Sequence, residues 1–501
     1  MHTTTPLFLT LLSFRLFNAL SLRTYFQPDE FWQALEPAHR LVYGYGYLTW
    51  EWRDGLRSIA HPLLFAAIYK INELLRLGET GLIHGPKVLQ AIFAAIADYQ
   101  VILFSKQNYG YEISQISTII TVTSAFNFFV SCRTFSNSLE MTLLITGLRY
   151  WPIKTAEISI NIKNVAKALA LAAIACVLRP TNALIWAYLG MELVVRLKAL
   201  APIFTAIAIG SVVFLANALV DIWYYGEVTF PVLNFIKFNL VESLSLFYGA
   251  NRKLYYLIEA IPQLLTVQTP FFFHGLYLAR RSVLARASIF VVVIYSVVSH
   301  KEVRFIFPLL PIFHVLSALS IKKLRIFQWP RLRWAFVFAL LVINLPLTIY
   351  ASFVHQRGVI DVTTYIRRTP EISSVGFLMP CHSTPWMSHI HRSDISAWFL
   401  TCEPPRSSVD ISAYRDEADQ FYDDPFLFLN THFPALNESS ENDISRFKFN
   451  WPSHIVIFGA LENTFKGFVG NSYIEVQRLF NSHIHDDNRR KGDVIVYKKY
   501  F

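Results

Sequence analysis

Apolar stretches approaching the ~20 residues that cross a bilayer as a helix recur from the start of the chain to about residue 354. They lie near 3–22, 60–75, 86–105, 114–131, 137–150, 164–179, 181–196, 201–221, 256–279, 285–299, 305–320 and 334–354. None recurs beyond that point. Over 355–501 the apolar runs shrink to strand length, at 374–379, 395–401, 454–460 and 493–497, separated by polar or Pro-rich stretches. The pattern predicts a multi-span α-helical membrane body over 1–354, with about 11–13 transmembrane segments, and a small α/β domain over 355–501. The leading segment has no Lys or Arg before Arg15, which interrupts its apolar run, so 1–22 reads as a retained first span and not a cleaved leader.

Loop charge orients the later spans, because cytoplasmic loops collect Lys and Arg. Lys154, Lys163 and Lys167, then Arg196 and Lys198, then Arg280, Arg281 and Arg286, then Lys322, Lys323, Arg325, Arg331 and Arg333 fall in alternate loops. The segments 132–136, 179–182, 222–255, 300–304 and the tail from 355 are therefore expected on the opposite side. The sequon Asn437-Glu438-Ser439, with Asn437 as glycosylation acceptor, agrees. Counted backwards with every segment crossing once, 23–58 comes out cytoplasmic, whereas the chemistry below needs it on the tail's side. One short segment between 60 and 150 is expected to be re-entrant or mis-split.

Composition agrees with a membrane protein: 53% of residues are hydrophobic and only 16% charged, where a soluble domain carries about 25% charge. The net charge of +10 follows from the basic loops, and no nucleic-acid motif accompanies it. Four cysteines are too few for a disulfide framework. Cys381 and Cys402, both in the tail, can pair if the tail lies in an oxidising compartment. His382, His389 and His391 surround Trp386 without coordinating spacing, so no metal site is expected.

Three constellations carry candidate chemistry. Gln27-Pro28-Asp29-Glu30 follows the first span and precedes the aromatic-rich, amphipathic stretch from Phe31 to Tyr47. Pro and acids at a helix start are ordinary N-terminal chemistry, yet an interfacial helix here would place Asp29 and Glu30 at head-group level, where a carboxylate can act as base. In Trp50-Glu51-Trp52-Arg53, running on to Arg57, indoles can stack on sugar rings and the charged groups can bind hydroxyls or phosphates; an aromatic belt is the alternative. In Ser299-His300-Lys301-Glu302-Val303-Arg304-Phe305, Lys301 and Arg304 can clamp a lipid phosphate, with His300 or Glu302 orienting them; an anchoring turn is the alternative. Arg133, Glu140 and Arg179 can line the same cavity. Asp98 either pairs with a neighbouring helix or lines the site.

The Pro28-Asp29-Glu30 run, the Arg133-to-Glu140 segment and the His300-to-Phe305 turn, in this order, resemble the dolichyl-phosphate-mannose mannosyltransferases of the GT-C class that make up glycosyltransferase family 22. Gly44-Tyr45-Gly46-Tyr47-Leu48-Thr49-Trp50-Glu51-Trp52 and the tail runs Leu378–Pro385 and Leu400–Pro404 are most similar to the members that add the third mannose of the GPI core. Gln27 departs from the His that many members carry there. The resemblance implies α-1,2 transfer from dolichyl-phosphate mannose to the second mannose of the GPI precursor, by inversion in a single displacement, with Asp29 as base. It further implies an ER-membrane enzyme with its site and tail lumenal, without a metal or other cofactor, acting on a lipid-linked donor and a GPI-precursor acceptor. Two other readings stay open: the same donor used on the N-glycan lipid-linked oligosaccharide, and a non-enzymatic transporter or assembly protein.

Overall fold

The computed structural model describes residues 4–154, 161–238, 247, 249, 251–405, 413–436 and 446–500; Asn437 lies outside them. The chain divides into two compact units, one of Met1–Leu22 with Glu51–Ile349, the other of Arg23–Trp50 with Tyr350–Phe501. The segment after the first span thus groups with the tail and not with the helical body, which the sequence reading had assigned as one piece.

In the first unit every apolar segment is helical. Thr4–Ser21, Ala60–Leu75, Gly78–Tyr109, Ser136–Tyr150, Ile162–Leu178, Ala183–Leu197, Ala201–Tyr225, Val283–Val297, Leu310–Lys323 and Pro330–Ile349 are single helices. The expected span 114–131 is broken into Tyr111–Val122 and Ala125–Val130, where the Ser124 side chain accepts from the Asn127 N–H and starts a new helix. Among the described residues, four helices are long and apolar enough to cross a membrane: Gly78–Tyr109, Ala201–Tyr225, Val303–Lys323 and Pro330–Arg368. Ala201–Tyr225 leaves Val212 68% and Leu219 69% exposed, an apolar surface that water would not tolerate and lipid would. Gly226 ends it in the left-handed conformation, φ 71°, donating its N–H to the Ile222 carbonyl.

The bundle buries an ion pair. The Arg15 guanidinium meets the Asp98 carboxylate through Nε at 2.6 Å and Nη2 at 3.0 Å, and Nη1 donates to Asn18. Asp98 is therefore an interhelical ion-pair partner. Elsewhere Thr269–Leu278 and Leu310–Lys323 approach so closely that a Cβ on Gly275 would lie 1.9 Å from the Leu316 carbonyl oxygen, the small-residue contact of helices packing without a hydrophobic drive.

The second unit holds a five-stranded sheet of order β2-β1-β3-β5-β4, with β1 Ser374–Phe377, β2 Ser396–Phe399, β3 His454–Phe458, β4 Tyr473–Leu479 and β5 Val494–Lys499. β1 lies parallel to β2 and β3, while β3–β5 and β5–β4 are antiparallel. Four strands fall on the four apolar runs. The edge strand β4 was not expected, because Glu475, Gln477 and Arg478 break its apolar run, the charges that an exposed edge favours. Leu378, Phe421, Ile455, Phe465, Ile495 and Tyr497 form the core.

Residues 23–50 are built into this unit. Arg23 and Tyr25 donate their N–H groups to the carbonyls of Ser352 (2.9 Å) and Gln356 (3.1 Å). Phe31–Leu35 forms a π-helical turn leading into the helix Glu36–Tyr43, and Phe31, Trp32, Leu35 and Ala38 are buried. The expected interfacial helix is packed against protein on its apolar side.

Candidate active site

In the second unit the Pro-Asp-Glu run opens a helix, and its two acids part company there. Glu30 is buried, 3% exposed, and its Oε1 accepts the Phe26 N–H at 3.1 Å. This closes the turn like a reversed cap. Asp29 is only half-buried. Three residues on, Trp32 donates its Nε1–H to the Thr384 carbonyl at 3.0 Å and packs on the His382 ring at 4.5 Å. Cys381 and Cys402 are joined in a disulfide with Cα atoms 5.8 Å apart, inside the usual range. His382 Nδ1 lies 3.6 and 3.7 Å from the two sulfurs. This trio is the group among the described residues whose ligand atoms converge, but sulfurs bonded to each other are not thiolate ligands.

Two buried groups that the sequence reading passed over hold the Asp29 segment. Glu36, 1% exposed, accepts from the Trp386 N–H (2.9 Å), the Ser388 N–H (3.2 Å) and the Ser388 hydroxyl (2.6 Å). Burial outweighs those bonds and pushes its carboxyl up to about 7. His39 Nε2 lies 2.9 Å from His391 Nδ1; burial, then the His391 neighbour, pushes His39 down to about 3. Glu36 stands next to buried Leu35 and Pro37, and nothing local in the sequence marks it as a buried acceptor.

In the first unit three arginines each meet a glutamate. Arg304 Nη2 donates to Glu302 at 2.7 Å, Arg57 Nη2 to Glu51 at 2.5 Å, and Arg179 Nε faces Glu140 at 3.4 Å. Glu302 also accepts from His300 Nε2 at 3.1 Å, while His300 Nδ1 lies 3.0 Å from the Gly249 carbonyl. Burial lowers the His300 pKa and the Glu302 bond raises it, and the net is upward. Burial raises the Glu302 carboxyl, but Arg304 and His300 bring it down to about 2. Glu140 ties the arginines to the helices, accepting from Asn182 (2.8 Å), while Asn137 donates to the Arg304 carbonyl (3.1 Å). Arg57 and Arg179 line one cleft with Leu56, Val177, Leu178, Pro231, Val232 and Phe235, a cationic mouth on apolar walls.

Some expected ligands have other occupations. Lys301 is 2% exposed, and its ammonium donates to the carbonyls of Asn251 (3.1 Å) and Ser299 (3.4 Å). These two acceptors satisfy the buried ammonium and tie the turn to residues 251 and 299. Trp52, 2% exposed, packs edge-on against Tyr224, and Trp50 is buried. Arg53 is exposed. Arg133 is buried over the Phe129 ring (4.4 Å), with Nε on the Phe129 carbonyl.

Known proteins add to this geometry. A chain from Yarrowia lipolytica described as GPI mannosyltransferase 3 is 46% identical over 97% of this chain and 95% of its own length. One of the same description from Saccharomyces cerevisiae is 33% identical over 99% and 96%. Mannosyltransferase APTG1 from Arabidopsis thaliana is 37% identical over 98% and 91%. Among solved structures, ArnT from Cupriavidus metallidurans bound to undecaprenyl phosphate superposes with a TM-score of 0.62 at 11% identity, covering 98% of this chain and 97% of that one. The Archaeoglobus fulgidus oligosaccharyltransferase does so with 0.52 at 12%, covering 95% and 71%. The architecture is that of the GT-C membrane glycosyltransferases. With residues 6–391 matching the family's sequence model, the chain belongs to the Alg9-like mannosyltransferase family.

Proposed function

We propose that this enzyme transfers mannose from dolichyl-phosphate mannose, in α-1,2 linkage, to the second mannose of the GPI precursor, adding the third mannose in the ER lumen. The observation that carries the acceptor is the near full-length similarity to proteins described as GPI mannosyltransferase 3. A β-linked donor and an α-linked product require inversion, hence one displacement. The acceptor 2-hydroxyl oxygen bonds to the anomeric carbon as the bond from that carbon to the phosphate oxygen breaks. Dolichyl phosphate leaves with the electron pair, and Asp29 takes the hydroxyl proton. The parting of the two acids supports this assignment, since Glu30 already closes its own turn.

The departing phosphate needs positive charge held ready for it. Arg304, Arg57 and Arg179, each aligned by a glutamate, suit that task. Arginines can meet the charge of a phosphate that needs no protonation to leave, so this reading assigns no metal or other cofactor. The enzyme spans the ER membrane with its tail lumenal, and Asn437 is its glycosylation acceptor.

Two measurements test the reading. Cells lacking the protein should accumulate a two-mannose GPI precursor; a truncated dolichol-linked oligosaccharide instead would move the acceptor to the N-glycan pathway. With purified protein, donor and two-mannose acceptor, Asp29→Asn should lower kcat by about 10²–10⁴, while full activity would refute the base assignment. No transfer by the wild-type protein under any donor would favour a non-enzymatic role.

A further inference from the structure

The last long apolar helix, Pro330–Ile349, runs on through the π-helical turn Tyr350–Val354, and its residues mark the two edges of the lipid. Arg331 and Arg333 stand at its start beside Trp329 and Trp334, both 65% exposed, a mixture of cations and indoles that settles at a membrane surface. At 1.5 Å per residue a ~30 Å hydrocarbon core takes up ~20 residues. Counted from those arginines, the core ends at about residues 351–353. Tyr350, an aromatic ring with a polar tip, stands at that second edge, where such side chains collect.

A loop of the second unit is fastened to this edge. Phe480-Asn481-Ser482-His483-Ile484 follows β4 and folds onto residues 350–358. The Asn481 carbonyl accepts the Arg357 N–H at 3.1 Å. The Ser482 hydroxyl lies 2.7 Å from His355 Nδ1 and 3.4 Å from the Tyr350 hydroxyl, and it donates to the Ile484 carbonyl at 2.8 Å. The Tyr350 hydroxyl also accepts the His483 N–H at 3.2 Å, and the two rings lie 5.9 Å apart. Gly358 permits the approach, since a Cβ there would sit 2.9 Å from the Phe480 carbonyl oxygen and 3.1 Å from the Asn481 Cα.

Asn481 and Ser482 are buried in these contacts, whereas Phe480 and Ile484 stay 45% and 61% exposed. From Leu479 to His485 the chain carries no carboxylate, so burying the loop's two apolar side chains among lipid head groups brings no acid with them. Scattered exposed apolar residues need no explanation. These two are fixed, through Tyr350 and His355, to the place where a span leaves the bilayer. We propose that the loop 480–484 is a membrane-surface anchor, in which Phe480 and Ile484 enter the boundary between head groups and acyl chains and fasten the second unit to the lipid. The bonds to Tyr350 and His355 favour lipid over a protein partner, because they make the loop continuous with the surface of the last span.

The test uses the full chain in a Cys176→Ser background, where Cys132 is buried and the tail cysteines are paired, reconstituted into phosphatidylcholine vesicles. Phe480→Cys and Ile484→Cys each carry a polarity-sensitive nitrobenzoxadiazole label. Lys466→Cys, on the helix Glu462–Val469 with its native side chain 50% exposed, carries the same label as reference. Emission from both loop positions should lie to the blue of the reference and should be lost in vesicles of brominated lipid. Bromines near the glycerol end of the acyl chains should quench more than bromines at the chain ends, as a depth of about 5–10 Å requires. Quenching at either loop position no greater than at Lys466 would overturn the anchor. A blue-shifted label that brominated lipid fails to quench would overturn it as well, in favour of a protein seated on the same loop. Should one loop variant fail to fold, the other decides alone.

Discussion

Glu36 offers the sharpest test of how the second unit is assembled, because its one carboxylate satisfies three buried donors from the tail. In Glu36→Ala the N–H groups of Trp386 and Ser388 and the Ser388 hydroxyl lose their acceptor. At about 1–3 kcal/mol for each buried unsatisfied group, with relaxation and entering water recovering part, the net loss is about 3–5 kcal/mol. At ~2–4 °C per kcal/mol for a unit of this size, thermal unfolding in detergent should drop by roughly 10 °C. Glu36→Gln keeps an acceptor oxygen but surrenders the charge-assisted strength, and about half that loss is expected. The pH dependence adds an independent signature. The folded carboxyl, at about 7, lies above its ordinary 4.5, so between those values the native state binds more protons than the unfolded state. Stability attributable to this group is therefore full below about pH 4.5 and falls as pH rises through 7, by roughly 3 kcal/mol at most. The glutamine variant, which cannot titrate, should show a flatter stability profile over that window. Melting measured from pH 5 to 8 for all three proteins checks this; a Glu36→Ala melting temperature within 2 °C of wild type, or equal slopes for wild type and Glu36→Gln, would refute the reasoning.

Two further perturbations probe the first unit. Asp98→Asn leaves Arg15 buried with a neutral partner, and removing one member of such a pair costs about 3–5 kcal/mol; thermostability in detergent should fall while the kcat of the surviving folded fraction stays near wild type. Glu302→Gln weakens the hold on both His300 and Arg304, so the KM for the donor should rise about 10-fold. In the wild-type protein that KM should also worsen as pH climbs through the raised His300 pKa, because the imidazolium that helps fix Glu302 is lost; a donor KM independent of both changes would detach this turn from the donor.

What was legible in the sequence follows physical lines. The apolar runs fell on helices and four strands because hydrophobic period and length are local properties. The Cys381–Cys402 pairing was legible from compartment and position. The burial of Lys301, Trp50 and Trp52 was not: residue type shows what a side chain can do, while packing decides how it is placed. Lys301 meets an acceptor fifty residues earlier, at Asn251, and no local pattern announces that. The resemblance favoured Asp29 over Glu30 as base, whereas the bond that occupies Glu30 exists only once the chain has turned back and set the Phe26 N–H against it. The bond from Trp32 to the Thr384 carbonyl joins residues about 350 positions apart, and no local pattern announces that either.

The same long-range packing constrains the membrane topology. Arg23 and Tyr25 hydrogen-bond to Ser352 and Gln356, and Glu36 to Trp386 and Ser388, so 23–50 and the tail fold as one unit and must occupy one side of the bilayer. The chain between them therefore crosses an even number of times. Yet the apolar segments from 60–75 to 334–354 number eleven, so one of them does not make a full crossing of its own. Two expected spans are broken, 114–131 into Tyr111–Val122 and Ala125–Val130 and 256–279 into pieces of which Thr269–Leu278 is the longest; within 60–150 the first is the place, since at 1.5 Å per residue its longer piece covers only ~18 Å of a ~30 Å hydrocarbon core. In a Cys176→Ser background, where Cys132 is buried and the tail cysteines are paired, single cysteines at the exposed positions Arg40 and Lys491 should react with an impermeant maleimide from the same side of sealed microsomes. A cysteine at Lys163 should react from the other. Labelling of Arg40→Cys and Lys491→Cys from opposite sides would break the even count, and with it the assignment of the Asp29 segment to the tail's compartment.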